Sequence, residues 1–154
     1  KCDWSSDVCS SDLGGLTYSG HPLACAAAVA TIDVMKEEKI VENAKHIGTT
    51  VLGPGLHELA ERHPIIGDVR GIGCFWVLEL VKDRKTREEL APYGGSSPAM
   101  AEIAGELKKR GLMTFVSGNR LNVVPPLIID DVQAKEGLAI IDEVLAISDK
   151  HYTG

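Results

Sequence analysis

The sequence predicts an α+β domain: a small, mainly antiparallel sheet with helices on one face. Three observations lead there. Helix-type stretches and short β-branched runs follow one another in the order helix, helix, strands, helix, strands, helix. Two of the strand runs meet at Ser117-Gly118-Asn119, a hairpin-type connection. And the chain is 154 residues long, 44% hydrophobic and 25% charged, which suits one ordinary domain with a real core.

Taken in order, Pro22 suits the first position of a helix, and Ala-rich sequence carries that helix to about Glu38. Its stretch Ala24–Ala30 is apolar nearly all round, the pattern of a helix covered on several sides by another domain or subunit. A second helical stretch runs from about Ile40 to Arg62. Gly53-Pro54-Gly55 predicts a kink or break inside it, and His63-Pro64 ends it. Ile65–Val69 and Gly71–Val81 read as strands, the second rich in β-branched and aromatic residues. Lys82–Pro98 is a charged, then Gly/Ser/Pro-rich loop, and its mixed charge run Lys82–Glu89 reads as a solvated face. A helix is expected over Ala99–Arg110, with Gly111 as its stop. Leu112–Val116 and Arg120–Val124 form the hairpin strands, and Pro125-Pro126 ends the second. Asp130, with Gln133 three residues on, predicts a capping box for a last helix. That helix carries apolar Val132, Leu138, Ile141, Val144, Leu145 and Ile147.

Residues 1–13, KCDWSSDVCSSDL, fit no period. Ser5-Ser6-Asp7 is echoed by Ser10-Ser11-Asp12, and Asp3 to Leu13 is the in-frame translation of a common short-read sequencing adaptor. They are read as a sequencing-adaptor artefact, so domain organisation is expected to begin at Gly14, with 14–38 a junction and interdomain helix and 39–154 the small α+β domain. The alternative is a short natural loop. Net charge is −6, and no basic patch suggests a nucleic-acid partner. The longest apolar run, Leu23–Ala30, is far too short to span a bilayer. No signal peptide is recognised. Cys25 and Cys74 lie in apolar contexts without a CxxC or metal spacing, as expected of reduced thiols in a cytoplasmic protein.

The stretch Leu16-Thr17-Tyr18-Ser19-Gly20-His21-Pro22 is the most informative chemically. A helix N-terminus offers unpaired backbone N–H groups and the positive end of its dipole to an anion. Thr17 and Ser19 add hydroxyl donors, and Gly20 lets the backbone approach closely. A phosphate site is one reading. Simple capping of the helix by Ser19 is the other.

Three segments carry a family resemblance. GGLTYSGHPLACAAAVA resembles the large-to-small domain junction of class III, fold-type I pyridoxal-phosphate aminotransferases. IGDVRGIGCFWVLEL (Ile66–Leu80) is similar to that family's strand pair, and RLNVVPPLII (Arg120–Ile129) to its strand before the closing helix. The resemblance implies the C-terminal small domain of such an enzyme, preceded by the interdomain helix. It implies that Thr17 binds the phosphate of pyridoxal 5'-phosphate held by the neighbouring subunit of a homodimer, with Leu16 and Tyr18 lining the shared pocket. His21-Pro22 then reads as helix initiation rather than catalysis.

The resemblance also assigns Arg120 to the substrate carboxylate, since a guanidinium pairs with a carboxylate in a two-pronged fork. The plain alternative is a solvated arginine at a strand edge, and Asn119 and Asn122 are polar neighbours. Arg70 reads as structural. The family's cofactor-anchoring lysine matches no lysine here; Lys36, Lys39 and Lys45 lack its context. The parent enzyme implied is an aminotransferase moving an amino group from an amine or omega-amino acid to a keto acid, with pyruvate expected and omega-amino-acid or taurine:pyruvate types most similar. The chain alone is expected to be inactive. A class III decarboxylase or mutase, or a non-catalytic α+β interaction or regulatory domain, are the alternatives.

Overall fold

The computed structural model of the chain describes residues 20–154. The described residues fall into two units, 20–39 and 40–154. In the first, helix α1 spans Pro22–Glu37. The helix begins where Pro22 allows it, with Pro22 at its first position and His21 as N-cap. Lys36 sits in the last turn, complementing the dipole, and Lys39 leaves the helix at φ 53°. None of its residues is buried, and Leu23, Val29, Ile32 and Val34 are exposed.

The second unit opens with α2 (Ile40–Ile47), continues without a break through a π-helical turn (Gly48–Leu52), and enters α3 (Gly53–Arg62). The irregularity expected at Gly53-Pro54-Gly55 is found immediately before it, in the π-helical turn Gly48–Leu52, and α3 runs on from Gly53. Pro54 lacks an N–H and would crowd the preceding turn of a regular helix. The widened turn just before it absorbs that defect, with the Gly53 N–H bonding back to the Gly48 carbonyl. The sequence signal was sound, and its consequence lies one turn upstream.

Strands β1 (Ile66–Ile72) and β2 (Phe75–Asp83) form a hairpin around Gly73, at φ 57°. Next come the two-residue strand β3 (Glu88–Glu89), helix α4 (Pro98–Lys109), β4 (Val116–Ser117), β5 (Arg120–Val123) and α5 (Asp131–Ser148), then a 3-10 turn (Asp149–His151). Ser97 caps α4 by accepting the Met100 N–H at 3.2 Å. The capping box of α5 is present, with Gln133 N–H on the Asp130 carboxylate at 2.8 Å and the Gln133 side-chain oxygen accepting the Asp130 N–H at 3.3 Å.

All strand pairings are antiparallel, in the order β1-β2-β5-β4, with β3 beside β2. One sheet face carries Trp76, Leu78, Leu80 and Leu121 into a core shared with Ile47, Leu56 and Leu59 of the first helices, Ile103 and Leu107 of α4, and Val144 and Leu145 of α5. Period-2 alternation turns Arg70, Val77, Glu79, Arg120 and Asn122 to the other face. Their registers match: Arg70 lies opposite Val77, Val77 opposite Asn122, and Glu79 opposite Arg120.

Two boundaries differ from expectation. The strand expected over Leu112–Val116 is only Val116–Ser117. Gly111, at φ 85°, turns the chain so that the Leu112 N–H closes α4 on the Leu107 carbonyl at 3.0 Å, and that amide is spent on the helix end. The charge run Lys82–Glu89 is not wholly solvated. The Arg84 guanidinium donates to the backbone carbonyls of Ala60 (2.5 Å), His63 (2.7 Å) and Ile66 (2.9 Å). It thereby ties the β2–β3 turn to the end of α3.

Candidate cofactor and carboxylate sites

Leu16, Thr17 and Tyr18 lie outside the described residues, as does Ser19. What is described of that stretch is its exit into α1. Gly20 stands at φ 73°, with nothing within 4 Å of where a Cβ would project. His21, not Ser19, occupies the N-cap position, and its side chain makes no capping bond. The first turn of α1 holds no acidic residue. A helix start with no acidic residue in its first turn and an open glycine before it leaves room for a phosphate group, although Pro22 brings no N–H and the Cys25 N–H bonds the His21 carbonyl. These described residues are thus compatible with the phosphate of pyridoxal phosphate.

Arg120 is positioned by the β4–β5 hairpin. Gly118 takes a left-handed φ of 59° at the turn, which costs glycine nothing. Asn119 is buried and donates its side-chain N–H to the Leu80 carbonyl at 3.1 Å, so it anchors the turn to β2. Arg120 follows as the first residue of β5, exposed on the outer face. Its Nε donates to the Ser117 carbonyl at a long 3.4 Å. Among the described residues it takes part in none of the ion pairs, although Glu79 is its register partner.

The reason is Arg70. That guanidinium holds Glu79 at 2.5 Å and Asp68 at 3.2 Å, which makes it an internal element of the outer sheet face. Glu79 is thereby engaged, and the Arg120 fork stays open. Asn122 closes the hairpin. Its side-chain N–H bonds the Phe115 carbonyl at 2.7 Å, and its carbonyl accepts the Thr114 hydroxyl.

The sequence did not disclose a cleft of about 800 Å³ between α4, α5 and the β4–β5 hairpin. Leu107, Met113, Phe115, Val124, Pro126 and Leu138 give it an apolar lining, and Asn122 and Gln133 reach it as polar groups. Arg120 does not line it. The signal was the exposed apolar run around Pro125-Pro126, visible only once β5 fixed which side chains point outward. Burial pushes the Cys74 thiol up from its usual value, which suits an inert core thiol rather than a nucleophile. The described residues hold no cluster of three or more potential metal ligands, and none of their helices is long and apolar enough to cross a membrane.

Comparison with known proteins gives these arrangements a setting. The family model described as aminotransferase class-III matches residues 5–145. A 5-aminovalerate aminotransferase of Pseudomonas putida is 35% identical over 149 residues, 95% of this chain and 33% of that protein. At the same 35% identity stands ethanolamine-phosphate phospho-lyase homolog 1 of Caenorhabditis elegans, over 87% of this chain and 28% of that protein. Among solved structures, a taurine:2-oxoglutarate aminotransferase from Bifidobacterium kashiwanohense, in complex with PLP and glutamate, superposes with a TM-score of 0.80 at 39% identity. It covers 89% of this chain and 30% of that one. The chain spans about a third of the length of the relatives it matches.

Proposed function

The chain belongs to the class-III aminotransferases, and on that basis we propose that it serves as the C-terminal part of an enzyme that moves an amino group from an amine or omega-amino acid to a 2-oxo acid, pyruvate foremost. The observation that carries this is the family match over residues 5–145. Relatives that handle 5-aminovalerate and taurine support an omega-amino donor. The phospho-lyase relative keeps a second reaction type in view, so the assay must discriminate transfer from elimination.

When bound, pyridoxal phosphate supplies the electron sink for this chemistry. This chain's part is to bind and orient. Thr17, with Leu16 and Tyr18, holds the cofactor phosphate of the neighbouring subunit in a cytoplasmic homodimer. Arg120 receives the substrate carboxylate on its open fork, while Arg70 keeps Glu79 away from it. The cofactor-anchoring lysine belongs to the part of the protein beyond this chain, so residues 1–154 alone are inactive.

The test compares the chain alone with the full reading frame that contains it. Both are loaded with pyridoxal phosphate, gel-filtered and incubated with an omega-amino acid plus pyruvate or 2-oxoglutarate. The full frame is expected to retain cofactor and form the new amino acid, and the isolated chain to do neither. Release of ammonia or phosphate without a new amino acid would replace transfer by elimination. Turnover by the isolated chain would overturn the assignment of the missing lysine.

A further inference from the structure

His63 is a buried histidine, at 5% exposure. It follows α3 directly and faces α5. Its Nε2 lies 2.7 Å from Oδ1 of Asp142, and its Nδ1 lies 2.7 Å from Oδ2 of Asp149 in the 3-10 turn. An ionised carboxylate only accepts hydrogen bonds, and only the imidazolium donates from both nitrogens. Either neutral tautomer would press a lone pair against a carboxylate oxygen at one end.

The two ends are not equivalent. Asp142 has a second cation, with Arg62 at 2.8 Å. Asp149 has none, and its other oxygen, Oδ1, is buried without a hydrogen-bond partner. Of the neighbouring charges, Glu58 on α3 lies 3.9 Å from Arg62, and Arg84 of the β2–β3 turn holds the His63 carbonyl rather than the ring. The hydrogen bond from His63, followed by Arg62, holds the Asp142 carboxyl below its usual range.

We propose that His63 is a proton-operated clasp: its doubly donating ring locks the C-terminal end of α5 and the following turn onto α3, and losing one proton opens the Asp142 side first. The order follows from the partners. Asp142 falls back on Arg62, whereas Asp149 has only the ring, so the proton that stays is the one on Nδ1. The clasp is closed between two limits. On the acid side it fails as the carboxylates take up protons and stop accepting. On the alkaline side it fails as the ring gives up one of its own.

Thermal unfolding of the full chain, its His63→Gln variant and its Asp149→Asn variant, from about pH 4 to pH 9, tests this. The wild-type advantage over His63→Gln is expected to be bell-shaped, roughly 5 °C at its maximum, and to shrink on both sides. Asp149→Asn should flatten the alkaline limb. An advantage constant across the range would mean an ordinary hydrogen-bonded core histidine and would overturn the clasp. Ring ¹⁵N shifts of the wild-type protein give a readout independent of whether the variants fold. Both nitrogens should carry protons inside the bell, and the neutral ring beyond it should be the Nδ1–H tautomer. A ring neutral throughout, or an Nε2–H tautomer, sinks the proposal.

Discussion

Adding one methyl group at Gly48 should destabilise this fold although alanine is the better helix former. Gly48 opens the π-helical turn and is buried against the tip of the β1–β2 hairpin. A Cβ there would stand 2.4 Å from the Gly73 carbonyl oxygen, 2.5 Å from its Cα and 2.7 Å from its carbonyl carbon. Ordinary contact needs 3.4 Å or more, so the two backbones must part by about 1 Å. No rotamer change relieves backbone against backbone, and overpacking of this kind costs about 1–3 kcal/mol. The alanine returns roughly 0.5–1 kcal/mol of helix preference. The net expectation for Gly48→Ala is a loss of about 1–2 kcal/mol. Gly105, inside α4 with nothing within 4 Å of its Cβ position, is the internal control: Gly105→Ala should gain about 0.5–1 kcal/mol. Urea unfolding of the three proteins reads both. If Gly48→Ala matched or exceeded wild type, the close approach of the π-helical turn to the hairpin would be refuted.

Thr17→Ala in the full enzyme should shed pyridoxal phosphate faster on dialysis, by about 1.5–3 kcal/mol of lost charge-assisted hydrogen bonding, with unchanged circular dichroism; equal retention would count against a phosphate role. Arg120→Ala should raise KM for a carboxylate-bearing substrate far more than for a simple amine, and an equal effect on both would make the arginine structural. Leu121→Ala, at a fully buried position where β5 crosses β2, should cost about 2–5 kcal/mol, read as a shifted urea midpoint at unchanged slope. Glu106, held to about 2 by hydrogen bonds from Lys109 and then Arg110, has a depressed folded value. Its contribution is therefore present above the ordinary glutamate value of 4.5 and lost as pH falls towards 2. The wild-type advantage over Glu106→Gln should fade across that acid window and stay level above it.

Elements with strong local chemistry were legible from the residues. Pro22 and the Asp130/Gln133 pair mark helix starts by chemistry that works within three or four residues, and each marks the start observed; α4 instead begins one residue before the expected Ala99, at Pro98, where Ser97 caps it. Gly118 likewise marks its hairpin. What stayed hidden depends on distant partners. The π-helical turn arises because Pro54 must be accommodated somewhere, and its place is set by packing. The Arg84 staple and the His63 bridge join residues 18 to 86 positions apart, and no spacing rule reaches that far. Arg120 was found from motif order, yet its open fork depends on Arg70 having claimed Glu79 from the neighbouring strand. The cleft beside the hairpin needed three elements in place before it existed.

The Arg84 staple bears on how the domain acquires its stability. A helix ends with carbonyls that have no partner within the helix, and α3 finds one for Ala60 from a residue 24 positions later in the chain. The end of α3 is thus completed by a turn that exists only after β1 and β2 have paired. A segment that could flicker as an isolated helix instead gains its last turn together with the sheet, so helix and hairpin form one cooperative unit. Amides at the end of α3 should then exchange with solvent at the same free energy as those of β2, rather than fraying early. Removing the guanidinium with Arg84→Met, which keeps the aliphatic stem, should uncouple the two, letting the helix end open while the strands remain closed.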